Sequence, residues 1–217
     1  MKSTVFELKF PSVPRDWQPH MGVTFPIPTL KAYAIEYAEF TCKGGFNEHK
    51  EMTEGHGFEL IEDGLIWHSP FTPMFPGMDY YRLVIHYHGI KDYSFLFPHV
   101  KNPALQQRLG QFYQEAEASL DSGTWLAFAL MCGAIYEGLL YHHFGEKNEK
   151  FDVLIKNGHE AKILDTATEK TLRTAQELRN LVHANKADKQ FVTRAQALEM
   201  RTVLDRLIKD AAYWVRE

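Results

Sequence analysis

The 217-residue chain is 45% hydrophobic and 24% charged, which is enough apolar material to build one large domain or two small ones. Its formal charge of -4 excludes a protein that coats nucleic acid through a broad basic surface, so any nucleic-acid contact must be local. Only Cys42 and Cys132 occur, far apart and outside any C-x-x-C pattern; this excludes a disulfide framework or a cysteine zinc site and fits a reducing cytoplasm.

The first ten residues, MKSTVFELKF, alternate and carry Lys2, Glu7 and Lys9, so they lack the apolar run of an export signal. Prolines at 11, 14, 19, 26 and 28 each remove a ladder donor and make the first thirty residues largely irregular or edge-like. Short runs in the strand period cover residues 4–10, 33–41, 58–61, 65–68, 80–88 and 93–97. Glu62-Asp63-Gly64 is expected to turn between two of them, because Asp-Gly tolerates positive φ, and residues 88–92 around Gly89 supply a second turn. Residues 1–100 therefore read as a mainly β region.

After Pro103 the period becomes helical. Asn102-Pro103 is a capping side chain followed by proline at the first helical position. Leu105, Leu109, Phe112, Tyr113, Ala116 and Leu120 form one stripe, ended by Asp121-Ser122-Gly123. The next helix, to about Phe144, is apolar nearly all round, with an uninterrupted apolar stretch over 125–136. That stretch falls short of the roughly 20 residues needed to span a bilayer, so it reads as a buried central element with no membrane role. A short helix over 150–157 should stop at Gly158, and a further one covers about 168–184. The last begins at Thr193 with Gln196 three residues on, a capping box, and continues through Leu198, Val203, Leu204, Leu207, Ile208, Ala211 and Val215. The fold class is α+β: a mainly β region over 1–100 packed, with no linker, on an antiparallel bundle of four main helices over 101–217.

Arg179, Asn180 and His183, in ELRNLVHANK, are the candidate site. Residues four positions apart on a helix are neighbours, which places Arg179 beside His183 along one edge of the apolar line Leu172, Ala175, Leu178 and Val182. A guanidinium grips phosphate oxygens bidentately and an imidazole moves protons near neutrality, so the patch could hold and attack a phosphodiester without a metal or cofactor. The alternative is architectural, with Arg179 in an ion pair and His183 ending the helix.

Other constellations are weaker. His86 and His88 share one strand face and would bind zinc only with His68 or His99 supplying further ligands, which nothing in the local sequence specifies. His142 and His143 point in different directions, His143 towards the end of the central helix. Tyr80, Tyr81, Tyr87, Tyr93, Phe95 and Phe97 have only Arg82 and Lys91 among them and read as core before they read as base-stacking platforms. Walker, G-x-G-x-x-G, G-x-S-x-G and H-E-x-x-H motifs are missing.

From about residue 103 onward the succession of YQEAEASLDSGTWLAFALMCGAIYEGLL, a small helix with Leu154 and Ile155, LRTAQELRNLVHANK and a final amphipathic helix resembles the domain of unknown function 4145, a branch grouped with HEPN-like domains. The resemblance covers roughly half the chain. It implies a dimeric helical bundle linked to restriction, toxin-antitoxin or anti-phage functions, active members of which cut RNA through an arginine and a histidine without metal. Here Arg179 and His183 lie closer in sequence than in active members, and Cys132-Gly133 stand where an arginine often precedes the central-helix glutamate. Glu137 in the apolar helix needs a partner, and Arg179 is the nearest candidate in that bundle order. Cleavage would require two His183 residues meeting across a two-fold axis, two Arg179 residues neutralising the phosphate, and Asn180 orienting the imidazole. The two expectations are therefore a defence-related, RNA-binding or RNA-cleaving homodimer whose β region recognises a partner or controls access, and a non-catalytic interaction module or regulatory subunit.

Overall fold

The structure, a computed structural model, describes residues 1–11, 22–42, 57–68, 81–182 and 191–209. His183, Ala184, Tyr80, Pro14, Pro19, Ala211 and Val215 lie outside these residues, as do the side chains of Cys42 and Asn180. The fold is α+β, and the chain divides into two compact units, Met1–Asp92 and Tyr93–Glu217.

The first unit contains, among the described residues, strands β1 (Lys2–Leu8), β2 (Val23–Pro26), β3 (Tyr33–Cys42), β4 (Gly57–Ile61), β5 (Gly64–His68) and β6 (Tyr81–Ile90). They form two antiparallel sheets, ordered β1-β6-β3 and β2-β5-β4. The side chain of Tyr81 on β6 is 1% exposed and sits among the rings of Phe25, Phe40, Trp67 and Phe10 at centroid distances of 5.2, 6.3, 5.7 and 5.5 Å. Phe25 and Trp67 belong to one sheet and Phe40 and Tyr81 to the other, so this aromatic cluster is the core the two sheets share. Tyr81, Tyr87 and Phe97 are buried and present no face for a base to stack on.

One sequence expectation is met here and two change. The proline-rich opening contributes an edge-like element, as expected: Val23–Pro26 pairs with β5 at the edge of its sheet among the described residues, and Pro26 sits at its last position. Residues 88–90 do not turn but continue β6. Gly64 follows the expected turn, yet its φ is not positive; a Cβ there would lie 2.5 Å from the Phe25 carbonyl oxygen, so glycine is needed for close approach of β2.

The second unit opens with a 3-10 turn over Tyr93–Leu96, where a strand was expected. This turn packs on α1 (Pro103–Asp121): Tyr93 donates to Glu117 at 3.0 Å, and Gly110 lets the turn's backbone lie against the helix. The tertiary contact overrides the local β preference of Tyr and Phe. Asn102 caps α1 as expected, accepting from the backbone N–H groups of Ala104 and Leu105 at 3.1 and 3.3 Å.

Next come α2 (Trp125–His143), α3 (Phe151–Glu160), α4 (Thr166–Arg179) and α5 (Arg194–Lys209). α2 packs against each of the other four helices, and Phe128, Ala129, Cys132, Ile135, Tyr136 and Leu140 are completely buried. No helix among the described residues is long and apolar enough to cross a membrane. The Tyr136 hydroxyl, buried with the rest, donates to the Met200 carbonyl of α5 at 2.7 Å.

Gly158 does not stop α3. The helix runs through it to Glu160, and the glycine instead makes room for Leu164, whose Cδ1 would be 2.9 Å from an added Cβ. α4 starts earlier than expected because the Asp165 carboxylate accepts from Thr168 N–H at 2.7 Å. It ends earlier too, passing into a 3-10 turn over Asn180–Val182, which leaves Val182 54% exposed instead of on the buried line. On α5 the capping box forms reciprocally, Thr193 N–H to Gln196 at 2.9 Å and Gln196 N–H to Thr193 at 3.3 Å. Its buried stripe uses Ala197 and Met200, and Leu198 is 46% exposed.

Gly110→Ala tests the packing of the opening turn. Alanine gains up to about 1 kcal/mol in helix propensity. An added Cβ, however, would come 2.7 Å from the Ser94 backbone nitrogen, and that neighbour is not a flexible side-chain end. The clash should win, lowering stability by about 1–3 kcal/mol, read as a lower urea midpoint.

Candidate functional site

Of the four residues singled out in the sequence, the structure brings Arg179 and Glu137 together. Arg179 Nη1 lies 2.6 Å from Glu137 Oε2, an ion pair joining the last residue of α4 to α2. Asn180 begins the 3-10 turn that follows. The α-helix thus ends at Arg179, so the step from Arg179 towards His183 is no longer that of one continuous helical face; His183 itself lies outside the described residues.

Local sequence explains how the pair forms. Gly133 and Glu137 are one helical turn apart on α2 and share a face. Gly133 leaves space for the arginine stem, since a Cβ there would meet Arg179 Cδ at 3.4 Å. Glu137 one turn on receives the guanidinium. Phe151 at the start of α3 completes the surroundings, its ring centroid 6.0 Å from Arg179 Cζ. Gly133 and Phe151 were not legible as parts of this site. A glycine one turn before a lone glutamate in an apolar helix is the signal that could have found the first.

The pair is not sealed from water: the two side chains are 42% and 33% exposed. Its electrostatic contribution is consequently that of a surface pair with good geometry. Chemically, Glu137 already supplies the anion that the guanidinium would otherwise seek. Cys132, beside Gly133, supplies no nucleophile, because burial pushes its thiol far above the ordinary range and keeps it protonated.

The described histidines that the sequence offered as metal ligands each lie with other partners or apart. His86 Nδ1 lies 2.9 Å from Ser3 Oγ and its Nε2 3.5 Å from Glu39, while His88 Nε2 lies 2.5 Å from Glu36. His68 is on the other sheet and His99 belongs to the second unit. Among the described residues no group of three or more His, Cys, Asp and Glu side chains could hold a metal ion. At the end of α2, His142 Nδ1 lies 3.2 Å from Glu146 and its Nε2 3.2 Å from the His99 carbonyl, while the His143 ring meets Phe144 edge-on at 5.1 Å.

A second acidic site escaped the sequence reading. Glu117 on α1, 8% exposed, accepts from Tyr93 and lies 3.7 Å from Arg201 Nη2 of α5, whose guanidinium also covers the Tyr113 ring at 5.3 Å. Glu117 follows Tyr113 by one helical turn and so shares the buried face of α1. No family model, no curated protein and no solved structure matches this chain.

A double-mutant cycle on Glu137→Gln and Arg179→Met measures the pair directly. The coupling should be about 0.2–1 kcal/mol and should shrink as salt is raised, as for a solvent-accessible pair.

Proposed function

We propose that the second unit is a HEPN-like antiparallel bundle acting as a dimerisation or docking module, without nuclease activity of its own. The observation that supports this reading is the 2.6 Å contact between Arg179 and Glu137. A phosphate-handling arginine must present its fork to an incoming phosphodiester. Here one nitrogen is taken by a carboxylate, and the same carboxylate places negative charge where phosphate oxygens would approach.

The role is that of a partner-binding component in a defence or toxin-type system, with the first unit recognising a protein and the helical unit pairing with a second copy. The competing reading is an RNA-cleaving dimer in which two His183 residues exchange the proton at a ribose hydroxyl and a leaving oxygen. It retains one supporting feature, the 42% exposure of Arg179, which leaves part of the guanidinium open to solvent.

Purified protein incubated with tRNA and total RNA in EDTA should leave both intact and sediment as a dimer. Metal-independent cleavage that disappears in an R179A/H183A double mutant would overturn the non-catalytic reading and establish the nuclease. A monomer at all accessible concentrations would remove the dimerisation role.

A further inference from the structure

The end of α2 carries a cluster that takes no part in the Arg179 site. His142, whose side chain is 18% exposed, stands between the last turn of α2 and the segment leading into α1. Its Nδ1 lies 3.2 Å from Glu146 Oε1, and the other oxygen of that carboxylate accepts from Asn102 Nδ2 at 2.8 Å. Asn102 is the residue whose Oδ1 caps α1, so ring, carboxylate and amide form one chain from the exit of α2 to the entrance of α1. The other ring nitrogen, Nε2, faces two partners of opposite character. One is the carbonyl oxygen of His99 at 3.2 Å, and the other is the backbone N–H of Lys101, its nitrogen 3.4 Å away.

One ring nitrogen cannot serve both. An ionised carboxylate only accepts, so the bond to Glu146 keeps a hydrogen on Nδ1 whether the ring is neutral or charged. In the neutral ring Nε2 then has a lone pair: it accepts from Lys101 N–H and confronts the His99 carbonyl with lone pair against lone pair. In the imidazolium Nε2 carries a hydrogen: it donates to His99 and turns a donor towards the Lys101 amide. The charged ring also places a cation in the last turn of α2, where the helix dipole favours it.

We propose that His142 is a proton-operated selector at the joint between α2 and α1, its Nε2 exchanging the Lys101 amide for the His99 carbonyl when the ring is protonated. The titratable groups that face it are His143 on α2, His99 on the incoming segment and Glu146 beyond the helix end. Burial, with the neighbouring histidines adding to it, brings His99 down to about 4, and burial also lowers His143. Hydrogen bonds from Asn102 and His142 lower Glu146, so it remains the acceptor that fixes Nδ1. The partners exchanged are backbone groups, so the event re-aims the chain just ahead of the α1 cap.

Nitrogen-15 NMR on the full chain between about pH 5 and 8, the range in which histidine ordinarily titrates, tests this without any substitution. The neutral His142 ring should carry its proton on Nδ1. The Lys101 amide resonance should titrate with the midpoint of the His142 ring, and its exchange, corrected for intrinsic rate, should be roughly fivefold faster on the acid side, the effect of losing one hydrogen bond. A neutral ring protonated on Nε2, or a Lys101 amide that ignores the ring's titration, overturns the proposal. In variants, His142→Gln should abolish the Lys101 step and His143→Gln should preserve it; a step that survives His142→Gln also overturns it.

Discussion

α2 is apolar nearly all round, and the complete burial of its Phe128, Ala129, Cys132, Ile135, Tyr136 and Leu140 is the constraint on which the second unit depends. Each fully buried Phe or Leu along it contributes about 1.5–3 kcal/mol, provided the neighbouring helices come close enough to exclude solvent. Gly138 permits one such approach: a Cβ there would lie 2.6 Å from Leu109 Cδ2 of α1. Gly133 faces the stem of Arg179 from α4 less tightly, a Cβ there meeting Cδ at 3.4 Å. The small residues in this helix thus bring neighbours in, and the large ones fill the space so created.

A helix surrounded in this way has little tolerance for charge, and two carboxylates of the unit are met by arginines from other helices. Carboxylates stand on the earlier helices, Glu117 on α1 and Glu137 on α2, and arginines reach them from the later ones, Arg201 on α5 and Arg179 on α4. The deeper carboxylate, Glu117, also takes a phenol hydrogen bond from Tyr93. The shallower, Glu137, shares its single close arginine contact with solvent. The first arrangement follows from the cost of leaving a buried anion without a donor. An arginine engaged in this way closes the fold first and is offered to a ligand only with its remaining surface.

Signals that act within a few residues were legible in the chain. Asn102-Pro103 and Thr193 with Gln196 set helix starts through side chains that reach the adjacent N–H groups, and the structure contains both. The need of Glu137 for Arg179 could be read because an acid in an apolar helix demands a partner. Features decided by distant neighbours were not legible. Gly158 and Gly64 looked like punctuation and prove to be points of close approach, since the identity of the approaching group, Leu164 or Phe25, lies elsewhere in the chain. Tyr93–Leu96 carries β-forming residues and coils because it lies on Gly110. The end of α4 was missed for another reason: the apolar spacing continues to Val182 while the backbone tightens into a 3-10 turn, so periodicity alone overran the helix.

The hydrogen bond from Tyr136 to the Met200 carbonyl has a consequence beyond satisfying a buried hydroxyl. Two helices that meet through aliphatic side chains can interdigitate at more than one axial offset, one turn, or about 5.4 Å, apart. Dispersion forces discriminate poorly between such offsets because each presents similar surfaces. A directional donor aimed at one carbonyl does discriminate, since a buried hydroxyl carried off its acceptor loses its hydrogen bond. Tyr136 therefore acts as an indexing pin between α2 and α5, converting an approximately shaped contact into a single alignment.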